Sequence, residues 1–322
     1  MANKLFDLAY RISPECYEFI RKIKYGHISI KSEWPLDKLI AEHMKVYKAN
    51  HGHEFDIYNP VTFTEKVLWY ETFYEGDGQL HRIEDKIEFK NYIEEKLGPG
   101  YTIPLLGTWT SIRQFRKGWK SLPEEFCLKS NLSYGGKNIL FIHDKSALDY
   151  WTIEKEVREW LRPENTGLNS YGRAGWKATP KILAEEYKKT VKNQLFDFKF
   201  FCFDGKPYCV YAAVDHFGKD GSHISFYDLE WNKLDVTYGN HLSEPIQKPK
   251  HFDEMLRIAK TLSRGFPFVR VDFFETDDQL FVAEMTLYPG GGQTPYHPTE
   301  FDKELGDLFR LPIVNNLHSD KK

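Results

Sequence analysis

Apolar residues recur at helical spacing through PLDKLIAEHMKVYKA (35–49) and VTFTEKVLWYETFY (61–74). The second stretch opens with Thr62 and Glu65 in capping-box spacing, which predicts a helix start there. IEDKIEFKNYIEEKLG (83–98) reads as a helix ending at Gly98, and 145–162 and 251–264 read as further amphipathic helices. Strand signals alternate with these. GPGYTIPLLGTW (98–109) reads as a turn and a short strand, EEFCLKS (124–130) and ILFI (139–142) as strands around the loop SYGGKN (133–138), and KILAEEY (181–187) as an apolar run that turns doubly acidic. DFKFFCF (197–203) and PYCVYAAV (207–214) flank a DGK turn and predict a hairpin. Residues 163–180 read as an exposed loop. The class is α+β with antiparallel sheets flanked by helices. Three regions are expected: a helix-rich 1–80, a block over 81–182 and a strand-dominated block over 183–322.

The sharpest pattern lies at 268–287. VRVDFF and LFVAEMTL bracket ETDDQ and predict a second hairpin. With Asp277, Asp278 and Gln279 as its loop, Asp272 faces Glu284 and Arg270 faces Thr286. Side chains alternate along a strand, so directly opposed residues share a sheet face. This register gathers Arg270, Asp272, Glu284 and Thr286 on one face. It gathers Val271, Phe273, Phe281, Ala283, Met285 and Leu287 on the other, whereas a slip of one residue mixes the sets. Two opposed carboxylates repel. A divalent cation, a shared proton or a bridge from Arg270 would each offset that, and a solvated polar face with an ion pair is the plain alternative. Gly290, Gly291 and Gly292 follow Pro289. They fit either a close backbone approach to an anion or a flexible turn.

Composition narrows the field. The chain has 322 residues, 41% hydrophobic and 28% charged, with a formal charge of −3. That balance describes a soluble globular protein and gives a nucleic-acid partner no global electrostatic support. The four cysteines, Cys16, Cys127, Cys202 and Cys209, form no CxxC pair and read as buried thiols in a reducing, cytoplasmic setting. No apolar run reaches the ~18 residues of a membrane span. The basic stretch YEFIRKIKYG (17–26) leaves peripheral membrane association open beside its reading as a packed surface helix. No HExxH, GxSxG or GxxxxGK[ST] occurs, which argues against a zinc protease, a hydrolase elbow and a Walker-type ATPase.

Several polar residues stand out against apolar surroundings. Lys129 ends a strand just before Gly135 and Gly136, where a point charge and backbone donors suit phosphate; a surface hairpin is the plain alternative. Glu185 and Glu186 close an apolar strand and suit a nucleoside's amine and hydroxyls, or simply solvent. Lys199 shares a strand face with Asp197 and Phe201, and a half-buried lysine needs an anion. Aromatics such as Tyr134, Trp176, Tyr227 and Trp231 suit an acceptor pocket or ordinary core.

Taken in order, these motifs resemble the ATP-grasp superfamily, and more closely its TupA-like (teichuronopeptide-biosynthesis) family. The matching stretches are VTFTEKVLW, DKIEFKNYI, YTIPLLG, LPEEFCLKS, ILAEEY, DFKFFCFDGKP and FPFVRVDFF…FVAEMTLYPGGG. The resemblance implies an ATP-grasp fold, with a helical N-terminal region and two α+β subdomains clamping ATP. Lys129 and Lys199 would meet the phosphates or the adenine edge, and Gly135 and Gly136 would close over the phosphates. Glu185 and Glu186 would lie at the adenine and ribose, and Lys86 would reach the nucleotide. Asp272 and Glu284 would hold Mg2+, and Arg270 would stabilise the carboxylate being phosphorylated. Thr286 stands where many members carry Asn as a metal ligand, and its hydroxyl is a poorer one. The implied reaction is ATP-dependent joining of a carboxylate, on a uronic acid or peptide-like part of a bacterial surface glycan, to an amine or amino acid. The alternatives are a sugar or glycan kinase and a non-catalytic glycan- or nucleotide-binding subunit.

Overall fold

The structure is a computed structural model. It describes residues 31–74, 79–133, 135–166, 178–188, 196–214, 223–239, 245–276 and 278–314. The chain divides into two compact units. The described residues of the first lie within 31–36 and 105–187; those of the second lie within 37–104 and 188–314. No helix among the described residues is long and apolar enough to cross a membrane.

The first unit is built on four antiparallel strands: β1 (Leu105–Trp109), β2 (Phe126–Ser130), β3 (Ile139–Ile142) and β4 (Ile182–Glu186), in the order β1-β4-β2-β3. One face buries Phe126, Leu128, Ile142, Ile182 and Ala184 in a common core with α5 (Ile112–Trp119) and α6 (Tyr150–Trp160). Trp109 lies in a slot that glycine makes available. A Cβ on Gly118 would come within 2.3 Å of the indole Nε1, and one on Gly107 within 2.5 Å of Cζ2. The two helices are tied by Glu154. Its buried carboxylate accepts from Arg116 Nε and Nη2 at 2.6 and 2.7 Å and from the Tyr150 hydroxyl at 2.7 Å. A buried charge is tolerable only when paired and hydrogen-bonded in this way.

The second unit carries a six-stranded antiparallel sheet. Its strands are β5 (Phe196–Phe203), β6 (Lys206–Val214), β7 (His223–Tyr227), β8 (Lys233–Leu234), β10 (Phe268–Glu275) and β11 (Leu280–Thr286), in the order β11-β10-β5-β6-β7-β8. A two-stranded pair, β9 (Thr237–Tyr238) with β12 (Tyr296–His297), completes the strands. The helices of this unit are α1 (Leu36–His51), α2 (Phe63–Phe73), α3 (Gln79–Glu84), α4 (Lys86–Leu97), α7 (Phe252–Leu262) and α8 (Thr299–Leu308). The expected capping box starts α2: the Thr62 side chain accepts from the Glu65 backbone while the Glu65 carboxylate accepts from Thr62 N–H at 3.0 Å. The single helix expected over 83–98 is instead two. Asp85 interrupts it, because its carboxylate caps Ile87 N–H at 2.9 Å and so begins a new helix.

Alternation divides the sheet. Phe198, Phe200, Val271 and Phe273 share the face on which Phe252 of α7 packs, with Phe200 lying 5.7 Å from Phe252 and 5.4 Å from Phe273. The opposite face is aromatic at one end, where Phe201, Phe203 and Phe268 surround Phe63 of α2 at 4.9–5.9 Å. Further along the same face the pairs become Arg270–Phe201, Asp272–Lys199 and Phe274–Asp197. A polar row is thus set into the end of an aromatic core.

Candidate active site

The β10–β11 pairing places Arg270 opposite Thr286 and Asp272 opposite Glu284, as the polar–apolar sorting requires. Beyond Asp272 the expected register fails. A bulge shifts the pairing so that Phe273 meets Val282 and Phe274 meets Phe281. Ala283, expected on the apolar face, is the extra residue and is exposed, while Val282 is buried in its stead. A bulge adds one residue to one strand and re-aims the side chains beside it.

The repulsion expected between Asp272 and Glu284 is offset by two cations. Arg270 reaches along its own strand and grips Asp272 with both ends of its fork, Nε to Oδ1 at 2.7 Å and Nη2 to Oδ2 at 2.6 Å. Nη2 also donates to the Thr286 hydroxyl at 3.1 Å. From β5, Lys199 Nζ donates to Asp272 Oδ2 at 3.1 Å and lies 3.4 Å from Asp197 Oδ2. Asp272 is 1% exposed, whereas Glu284 faces solvent. Burial alone would raise the Asp272 pKa, but Arg270 and then Lys199 hold it below the usual carboxylate range. Burial likewise works against the Lys199 charge, and Asp197 and Asp272 overcome it to raise that pKa. The buried ring of Tyr211 lies 6.0 Å from both cationic heads. Sequence reasoning missed Tyr211; the signal was the Cys209-Tyr211-Ala213 alternation on β6, which puts it opposite Lys199.

The glycine run serves packing. Pro289–Gly292 forms a tight turn against α2, and a Cβ on Gly292 would meet Thr64 O at 2.3 Å. His51 Nε2 lies 3.2 Å from Gly292 O. The turn is held rather than loose, and at Gly292 its backbone needs glycine to approach the helix.

The first unit holds a second polar group on the sheet face away from α5 and α6. Cys127 of β2 pairs with Glu185 of β4, and Lys129 pairs with Leu183, so Lys129 and Glu185 are diagonal neighbours. Lys129 Nζ lies 2.5 Å from Glu185 Oε2, and Glu185 is 4% exposed. Glu186 points to the other face, opposite Phe126, and is half-buried. The loop after β2 is closed at its base, where Ser130 N–H donates to Asn138 O at 3.0 Å and the Ser133 hydroxyl to Ser130 O at 2.9 Å. Gly135 and Gly136 at its tip are exposed with φ of 54° and 73°. No atom lies within 4 Å of where a Gly135 Cβ would stand.

Lys86 begins α4 in the second unit and is half-buried. Tyr134, Trp176, Cys16 and the basic stretch 17–26 lie outside the described residues. Tyr227 and Trp231 stack at 4.2 Å and both donate to Ile246 O, so they act as core. Cys127, Cys202 and Cys209 are buried thiols outside any disulfide, as expected.

The family model described as TupA-like ATPgrasp matches residues 65–310. No curated protein matches the chain. Solved structures similar to it include D-alanine–D-alanine ligase from Bacillus anthracis, at 15% identity, covering 65% of this chain and 58% of that one with a TM-score of 0.37. D-alanyl-alanine synthetase A from Vibrio cholerae O1 is 14% identical, with 71% and 61% covered and a TM-score of 0.40. D-cycloserine synthetase DcsG is 15% identical, with 72% of each chain covered and a TM-score of 0.39. The chain therefore spans 58% and 61% of the length of the first two of these structures.

Proposed function

The chain belongs to the TupA-like ATP-grasp family and has the ATP-grasp fold, and from that premise we propose that it is an ATP-dependent carboxylate–amine ligase. In this reading a substrate carboxylate oxygen attacks the γ-phosphorus of ATP, the bond to the β-phosphate oxygen breaks, and ADP leaves. The amine nitrogen of the second substrate then attacks the acyl carbon. Phosphate leaves with the bonding pair, the nitrogen loses a proton, and an amide remains. The acid is a uronic acid or peptide-like part of a bacterial surface polysaccharide, and the amine is an amino acid or simple amine.

The observation that carries the proposal is the row Lys199–Asp272–Arg270, with Glu284 opposed to Asp272. Phosphoryl transfer asks a protein for positioned charge more than for covalent chemistry, and this row supplies charge of both signs on rigid strands. Three of the five Arg270 N–H donors are committed to Asp272 and Thr286, and the Nη1 pair is left for the substrate carboxylate and its phosphorylated form. Lys199 is held between Asp197 and Asp272 and would serve the phosphates. In the first unit Lys129, Glu185, Glu186, Gly135 and Gly136 are assigned to the nucleotide, and in the second Lys86 has the same assignment.

The donor set suits Mg2+. Among the described residues no three His, Cys, Asp or Glu side chains are gathered into a cage, and Mg2+ is ordinarily held by one or two carboxylates together with phosphate oxygens and water. Glu284 offers an exposed carboxylate, and Asp272 Oδ1 accepts only one protein bond. Mg2+ held there would neutralise charge on the β- and γ-phosphates. Thr286 could join that set only through a hydroxyl that already accepts from Arg270.

ADP release on mixing the protein with candidate acid–amine pairs tests the proposal. Turnover that requires both substrates supports it. Asp272→Asn and Glu284→Gln should each lower kcat by about a hundredfold or more; intact turnover would remove the metal assignment. A stable phosphoester formed without an amine would point to a kinase. Tight glycan binding with no ADP release would point to a non-catalytic subunit.

A further inference from the structure

Asp272 occupies an unusual position for a group assigned to a metal. Both of its oxygens accept from cations, three bonds in all, and the residue is 1% exposed. Its partners are the two residues assigned to the anionic substrate groups. The cluster Asp197, Asp272, Glu284, Lys199 and Arg270 carries three negative charges and two positive ones. A bare polyphosphate would therefore meet a slightly negative site whose cations are already paired with carboxylates, in a buried setting where such pairings are strong.

Resting on the assignment of Mg–ATP to this site, we propose that Asp272 is an exchangeable counter-ion. In the free protein it holds Arg270 and Lys199, and it trades them for the divalent cation only when metal and nucleotide arrive together. The two side chains then turn to anionic groups of the substrates. Three features make the exchange feasible. Lys199 and Arg270 keep their charges throughout, so no proton has to move. Asp197 lies 3.4 Å from Lys199 Nζ and Thr286 accepts from Arg270 Nη2, so each cation keeps one anchor while it lets go of Asp272. Glu284 faces solvent directly opposite Asp272, which gives an incoming cation its first ligand before Asp272 is released. The consequence is cooperative binding: metal and nucleotide each favour the other beyond their mutual affinity in solution, because each relieves the charge that the other leaves uncovered.

Calorimetric titration with ATP, once in chelator and once in excess Mg2+, separates this arrangement from one in which the cations always face the phosphates. Asp272→Asn should bind metal-free ATP at least about tenfold more tightly than the wild type and lose most of the gain on adding Mg2+. Metal-free binding that is unchanged or weaker in this variant overturns the exchange. Lys199→Met leaves Asp272 paired with Arg270 and supplies an independent reading. It should change metal-free ATP affinity by no more than about twofold and weaken Mg–ATP binding by about tenfold. Equal losses with and without metal overturn the exchange. A wild-type protein that binds neither form overturns the exchange and the ATP assignment together. A wild type that binds Mg–ATP while Asp272→Asn gains nothing removes the exchange alone.

Discussion

Thr286 is the residue whose role the geometry narrows most. Its hydroxyl accepts from Arg270 Nη2 at 3.1 Å, among the described residues the only bond that fixes the guanidinium from outside its own strand. Thr286→Val removes that acceptor while nearly preserving shape. A hydrogen bond to a charged group contributes ~1.5 kcal/mol or more, so kcat should fall roughly tenfold. Thr286→Ser restores the acceptor and should stay within about twofold of wild type. The Mg2+ concentration for half-maximal rate should be the same in all three proteins; a shift in it would move Thr286 into the metal set. At this scale the site was half legible. Alternation alone opposed Asp272 to Glu284, because four polar residues and a run of apolar ones admit one sorting. It left three ways of offsetting the charge, and the structure shows the Arg270 bridge with Lys199 added. Lys199 was legible as a lysine in need of an anion, but Asp272 as its partner was out of reach, because the two lie 73 positions apart and no local pattern encodes a partner that distant.

Short elements depended on tertiary contacts and were correspondingly hard to read. Helix α5 is eight residues long, below the length at which a helix is stable alone, and it is held by the Arg116–Glu154 fork and by Trp109 over Gly118. Helix α8 contains Gly306, a poor helix former, which is there because a Cβ would meet Val61 O at 2.5 Å. Neither helix was expected from the sequence. By contrast α2 announced itself through its capping box, a signal written within four residues. The same distinction applies to the glycine turns and can be measured. Gly292→Ala combines a φ of 66° with a backbone clash at 2.3 Å. It should destabilise the protein by roughly 2–4 kcal/mol, about 1–2 from the left-handed backbone and the rest from overpacking. Gly135→Ala has a φ of 54° and nothing within 4 Å, so only the backbone term applies, ~1–2 kcal/mol. Urea unfolding of the two variants checks the contrast, and equal losses would mean that the Pro289–Gly292 turn yields to accommodate a side chain.

For the molecule as a whole, the buried charge row sets how stability responds to pH. Asp272 has a folded pKa held below its unfolded value of about 3.9. Its contribution is therefore complete above that value and is lost as pH falls through the folded pKa. Lys199 has a folded pKa raised above its unfolded value of about 10.4. Its contribution is complete below that value and is lost as pH rises through the folded pKa. Asp302 works the other way from Asp272. Burial raises its pKa despite two bonds from Thr64, so the stability linked to its proton is present in acid and is lost as pH rises through the folded value. On the acid side these two aspartates oppose each other, while on the alkaline side Lys199 is joined by buried groups whose pKa burial raises, Cys202, Cys209, Tyr211 and Tyr296 among them, and whose contributions are likewise lost as pH rises. Urea midpoints should hold a plateau between about pH 5 and pH 8, above which the buried thiols begin to tell, and fall on both sides. Lys199→Met should lower the plateau, because it strips Asp272 of one counter-ion, and should lessen the fall above about pH 10 while leaving the part due to the buried thiols and phenols. A plateau that stays at the wild-type height in Lys199→Met would weaken the case that this row anchors the second unit. Replacing such a row with apolar side chains often stabilises a fold, so a charged row set into the end of an aromatic core is something that packing alone does not call for and that the proposed phosphoryl transfer does.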